Sequence, residues 1–159
     1  MIDLKKAEMQ DIVDEISAKT GIPKPTLQPW TDAETMNQEP TFAAAGLTFG
    51  GEIVLCYCPL IFTKLTRDEI CGEIAHEFGH IADGDLAKDR QNMSFKAQQQ
   101  AELRADAFAK KHGYGSGQAA ALREWYYREG GKQIEFLCRE YGQLDHPPTL
   151  SRIKALESK

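Results

Sequence analysis

Long apolar runs are missing from this chain. Its longest hydrophobic stretch, the interrupted region from Ile53 to Phe62, falls well short of the roughly 20 residues that a membrane-spanning helix needs. The opening residues Met1-Ile2-Asp3-Leu4-Lys5-Lys6 lack the apolar core of a secretory signal, so a soluble protein at a cytoplasmic address is the default expectation. Positive charge is short as well. Nineteen Lys and Arg stand against 24 Asp and Glu, and the net charge of -5 argues against a nucleic-acid or anionic-membrane surface. There is no recognisable helix-turn-helix, no internal repeat and no low-complexity segment. The four cysteines (Cys56, Cys58, Cys71, Cys138) include no C-x2-C pair. Cys56 and Cys58 form a C-x-C pair within a predicted strand, pointing to one face, and all four are expected as buried or half-buried reduced thiols.

What is present fits one globular domain. The length of 159 residues supports one real core, and 42% hydrophobic with 27% charged residues is ordinary for such a domain. Residues 3–19 read as an amphipathic helix carrying Leu4, Ala7, Ile12, Val13 and Ile16 on one face and stopped by Gly21. Pro23, Pro25, Pro29 and Pro40 then favour extended segments and loops, with a short strand over Thr26 to Trp30 and a loop at Asn37-Gln38-Glu39-Pro40. Thr41 to Leu47 and Thr48 to Cys58 predict a β-hairpin turning at Phe49-Gly50-Gly51, with Pro59 as its stop. Thr66-x-x-Glu69 is a capping box opening a helix that buries Ile70, Ile74 and Ala75 and ends at Asp83-Gly84-Asp85. Further helices are predicted over Ser94 to Lys111, capped by His112, over Gln118 to Glu129 and over Lys132 to Tyr141, split by Gly130-Gly131. Trp125, Tyr126, Tyr127 and Phe136 are expected as core and cleft wall. Asp145-His146-Pro147-Pro148-Thr149 leads into a last short helix through Ile153 and Leu156.

Only four histidines occur, and two of them stand four residues apart in Ile74-Ala75-His76-Glu77-Phe78-Gly79-His80. Residues four apart on a helix share a face, so His76 and His80 present two imidazoles to one point, with Glu77 on the adjacent strip. This H-E-x-x-H pattern is the one in which histidines hold zinc and the glutamate is the general base. A third histidine in the longer H-E-x-x-H-x-x-G-x-x-H signature would require glycine at 83 and histidine at 86, where this chain has Asp83 and Leu86. On the next long helix Glu102 and Asp106 share a face among alanines. Beside the two histidines, that face reads as a third metal ligand, Glu102, and a carboxylate, Asp106, accepting from a histidine N–H; taken alone, a solvated charged face would explain it as well. Arg104 points elsewhere, as a surface or lateral partner. Gly79 within the metal helix marks either a close backbone crossing or tolerated packing.

Together, H-E-F-G-H, E-L-R-A-D on the following helix and H-P-P-T-L-S-R-I near the C-terminus resemble the HtpX and CaaX-prenyl-protease type of gluzincin metallopeptidase, over roughly residues 41–156. The transmembrane helices of the membrane-embedded members have no counterpart here, and the comparison is better with the small soluble minigluzincins. The resemblance implies one zinc ion held by His76, His80 and Glu102, with Glu77 as base and acid and Asp106 behind a zinc histidine. His146 and Arg152 match the pair that supports the transition state. The implied fold is α+β: one domain over 1–159, a sheet of about three strands, mixed or antiparallel, packed on the metal helix, and a mostly helical C-terminal half. Its parts are an N-terminal helix (1–21), strands and loops (22–65), the metal helix (66–84), the third-ligand helix (94–112) and C-terminal helices (117–159). The implied activity is zinc-dependent endopeptidase cleavage of a peptide or unfolded protein bound as an added strand along Ile53–Cys58. Two alternatives are a latent or weak zinc-bearing scaffold for a protein partner and a regulatory peptidase that cuts a repressor.

Overall fold

The computed structural model describes residues 2–29, 43–87, 92–128, 130–140 and 146–158, with backbone alone for 2–5, 60 and 61. Expectations at Trp30, the Asn37–Pro40 loop, Thr41 and Phe42, Glu129, Tyr141 and Asp145 lie outside the described residues. The architecture is α+β, a three-stranded mixed sheet followed by a mostly helical C-terminal half.

Helix α1 (Ile2–Thr20) buries Met9, Ile12, Val13 and Ile16, spaced to line one face, while Ala7 is exposed. Strands β1 (Thr26–Pro29), β2 (Ala43–Leu47) and β3 (Ile53–Tyr57) are ordered β1-β3-β2, with β1 parallel and β2 antiparallel to β3. The expected docking strand is therefore corrected. Both edges of β3 are taken, Leu27 pairing with Leu55 on one side and Ala45 on the other, so no peptide can add along Ile53–Cys58. The hairpin edge that remains is β2.

Pro59 does more than stop the strand. It begins a single helical turn, α2 (Pro59–Phe62), with the Cys58 carbonyl accepting from the Phe62 N–H at 3.1 Å. Cys58 thus lies past the end of β3 and does not share a strand face with Cys56. No disulfide forms among the described residues; Cys58 and Cys71 are buried, Cys56 and Cys138 half-buried.

Helix α3 (Arg67–Ala82) starts at the expected capping box, in which the Thr66 N–H donates to Glu69 Oε2 at 2.7 Å and the Glu69 N–H to Thr66 Oγ1 at 3.4 Å. It ends at Asp83 and Gly84, whose φ of +67° takes the left-handed turn that glycine permits. Every residue from Ile70 to His80 is buried, so α3 is the central rod of the molecule rather than an amphipathic cover. A 3-10 turn at Asp85–Ala87 follows and approaches β2. Helix α4 (Phe95–Lys111) is capped by Ser94 and His112. Helix α5 (Gly115–Arg128) begins three residues before the predicted Gln118, because Gly115 and Gly117 lie inside its first turn rather than ahead of it.

Helices α6 (Gly131–Glu140) and α7 (Thr149–Glu157) complete the chain. Buried Glu135 of α6 accepts from the Thr149 N–H at 2.9 Å and so supplies the N-terminal cap that Pro148 lacks. Ile153 and Leu156 of α7 pack on Ala119 and Leu122 of α5. Trp125 packs against the core as expected, but Tyr127 and Phe136 are 63% and 62% exposed and form no core wall. No helix among the described residues is long and apolar enough to cross a membrane.

Glycine sets how closely the helices cross α3. A Cβ on Gly79 would lie 2.7 Å from Ala105 Cα, which resolves the open reading of Gly79 in favour of close approach by α4. On the other flank a Cβ on Gly72 would lie 2.1 Å from the Gln118 nitrogen of α5. Gly72→Ala should consequently destabilise by at least about 3 kcal/mol, whereas Gly50→Ala, at an open hairpin tip, should stay within about 0.5 kcal/mol of the parent in urea denaturation.

Candidate metal centre

Two turns of α3 bring His76 and His80 together with ring centroids 4.8 Å apart and planes nearly perpendicular. The Gly79–Ala105 contact draws α4 close enough for Glu102 to reach both rings. His76 Nε2 lies 3.2 Å from Glu102 Oε2, and His80 Nε2 lies 3.4 Å from Glu102 Oε1. One ligand atom from each of the three buried residues falls within 4.8 Å of the others. Two imidazole nitrogens and a carboxylate converging in this way suit a divalent ion of the zinc type.

The far nitrogen of each ring is also engaged. His76 Nδ1 lies 2.9 Å from Asp106 Oδ1, and both Asp106 oxygens are held by Arg152, at 2.7 and 2.8 Å. His80 Nδ1 lies 3.2 Å from Asp85 Oδ2, and Asp85 Oδ1 is 3.2 Å from Arg104 Nη2. An ionised carboxylate only accepts, so each Nδ1 carries a proton, and each Nε2 faces the shared point, where it would offer a metal its lone pair once any proton held there for Glu102 is lost. Asp106 and Arg152 are thus in the cluster with the three candidate ligands. Asp85 is a partner that the sequence pattern shows only as part of the helix end. The signal for it was an aspartate five residues past the second histidine, just after the glycine that turns the chain back. Arg104 is the lateral partner expected, paired with Asp83 and Asp85.

Burial opposes ionisation here, and the pairs overcome it. Burial pulls the His76 imidazole down, but hydrogen bonds and charge from Asp106 and Glu102 raise its pKa to about 10. Burial would raise Glu102 and Asp106, but hydrogen bonds from His76 and His80 hold Glu102 well below the carboxylate range, and Arg152 does the same for Asp106. Buried Glu73, one turn before His76 on α3, is pushed up to about 7 mainly by burial. Glu77 stands beside the ligands with its Oε2 accepting from the Ala45 N–H of β2 at 2.7 Å, so the outer edge of β2 faces the centre. His146 sits just before α7 with its ring edge-on to Trp125, centroids 5.9 Å apart.

Residues 3–95 match the family model described as Peptidase family M48. The chain belongs to that family. A Protease HtpX homolog from Gemmatimonas aurantiaca is 32% identical over 79 residues, which cover 50% of this chain and 26% of the relative. The chain therefore spans about a quarter of the length of this curated relative. No solved structure matches it significantly. The family match includes His76, Glu77 and His80 and ends at Phe95, the first residue of α4, so Glu102, Asp106 and Arg152 lie outside it and enter the cluster on geometry.

The His76 shift has a sign that can be measured. With a folded pKa near 10, above the ordinary value of 6.5, the paired imidazolium stabilises the metal-free chain fully below pH 6.5 and loses that contribution as pH rises through 10. A metal ion must displace the same proton. Adding zinc at pH 7 should release at least about one proton, read in weakly buffered solution, and apparent zinc affinity should strengthen as pH rises.

Proposed function

We propose that this chain is a zinc-dependent endopeptidase domain of the gluzincin type, formed by residues 1–159. The observation that carries the reading is the convergence of His76, His80 and Glu102 on one buried point, with Glu77 adjoining it on the edge of β2. His76, His80 and Glu102 would hold a zinc ion there, which would polarise the scissile carbonyl and lower the pKa of an attacking water to about 7. Glu77 would take a proton from the attacking water and pass it to the leaving amine. Its carboxylate is held for this by the Ala45 N–H, so the base does not rotate away from the centre. Asp106 fixes the His76 ring, and buried Arg152, whose fork is committed to Asp106, works through that carboxylate instead of touching substrate. His146, beside Trp125 at the entry to α7, is assigned to the oxygen on which charge develops.

The peptide lies extended along the outer edge of β2, replacing the β3 position that the sheet order excludes. In this segment, Ala43-Ala44-Ala45-Gly46-Leu47, side chains are small and backbone groups dominate recognition. Unfolded protein is the substrate class that offers such a strand.

A casein-type assay with and without chelator tests the reading. Glu77→Gln should keep stoichiometric zinc and lose cleavage by roughly a hundredfold or more; a Glu77→Gln protein that still cleaves at the parental rate overturns the mechanism. Ala45→Pro removes the N–H that meets Glu77 at an edge position where proline is tolerated, and should lower cleavage while leaving the thermal midpoint within a few degrees.

A further inference from the structure

The two imidazoles of the centre are braced differently. Behind His76 the brace is buried throughout: the Asp106 and Arg152 side chains are 5% and 7% exposed. Behind His80 the carboxylate is equally buried, Asp85 at 5%, but the guanidinium that meets it is half in solvent, Arg104 at 43%. Arg104 forks across the turn after α3, its Nε on Asp83 and its Nη2 on Asp85 at 3.2 Å. Helix α4 therefore contributes three groups in five residues: Glu102 toward both rings, Asp106 behind one ring, and Arg104 behind the carboxylate of the other.

We propose that Asp85 is the positioning carboxylate of His80, and that Arg104 holds Asp85 in place as a solvent-facing latch between the post-helix turn and α4. The proposal rests on His80 being a metal ligand. Removing Asp85 leaves the Nδ1 proton without its acceptor, freeing the ring to rotate and to exchange tautomers, so that Nε2 no longer points at the shared site. Loss of such a carboxylate typically costs ten- to a hundredfold in metal affinity. The Arg104 contact, unlike the Arg152 contact, is reached by salt, because its guanidinium is 43% exposed and ion pairs open to solvent weaken as salt rises. Ordered by exposure, His80 is the ligand whose orientation ionic strength loosens first.

The test is zinc affinity by competition with a chromophoric chelator at low and high sodium chloride, together with nitrogen-15 spectra of the histidine rings in metal-free and zinc-loaded protein. Asp85→Ala should weaken zinc binding by roughly ten- to a hundredfold, and the His80 Nδ1 proton should exchange rapidly in the metal-free chain while that of His76 stays protected. Arg104→Gln should weaken zinc a few-fold at low salt and flatten the salt dependence seen in the parent, and Arg104→Lys should restore part of both. Asp85→Ala with zinc affinity within about twofold of the parent and an unaltered His80 ring spectrum overturns the proposal, as does an Arg104→Gln protein whose salt dependence matches the parent. A parent chain that takes up no zinc overturns the peptidase reading and this proposal together. A parent that binds zinc but cuts nothing removes the peptidase reading and leaves the latch standing.

Discussion

Burying ionisable groups together is the constraint on which this molecule depends. His76, His80, Glu102, Asp106 and Arg152 are all withdrawn from water, and none of them is tolerable there alone. Each is acceptable because the next one neutralises it: Arg152 answers Asp106, Asp106 answers His76, and the two rings answer Glu102. Breaking a buried pair of this kind typically costs about 3–5 kcal/mol, because the abandoned partner stays buried. The cluster, a candidate metal centre, is also a condition on folding.

Meeting that condition requires α3, α4 and α7 to sit close, and small residues make this possible. Gly79 against Ala105 sets the α3–α4 distance, so the reach of Glu102 follows from the absence of one methyl group. Gly72 and Gly117 allow the equivalent approach of α5, whose Ala119 and Leu122 carry α7. Glu135 fixes the start of α7, one turn before Arg152. A position in one backbone is thereby transmitted to the orientation of an imidazole several elements away.

The local features were legible in the sequence. Thr66 and Glu69 announced their helix, Gly84 its end, and the histidine spacing its metal face, since each depends only on residues a few positions apart. Glu102 and Asp106 were legible because a helical period places them together among alanines. What escaped was set by tertiary context. The central place of β3 depends on β1 crossing in parallel from outside the hairpin, which no periodicity within the hairpin reveals. Asp85 looked like a turn residue because its partner Arg104 lies 19 positions away across a helix crossing. Tyr127 and Phe136 looked like core because aromatic residues usually are, while α6 buries Glu135 instead.

The order in which the cluster is encoded has a consequence for a chain that is still being made. Glu77 and both imidazoles emerge on α3, Glu102 follows on α4, and Arg152, which holds Asp106, comes 46 residues after it. A nascent chain halted before α4 carries the H-E-x-x-H segment without Glu102, and one halted before α7 carries Asp106 without its counter-ion. Loop closure must bring these distant segments together before the cluster exists. A chain cut ahead of α7 has the same defect, so the presence of Arg152 is itself a checkpoint on the centre.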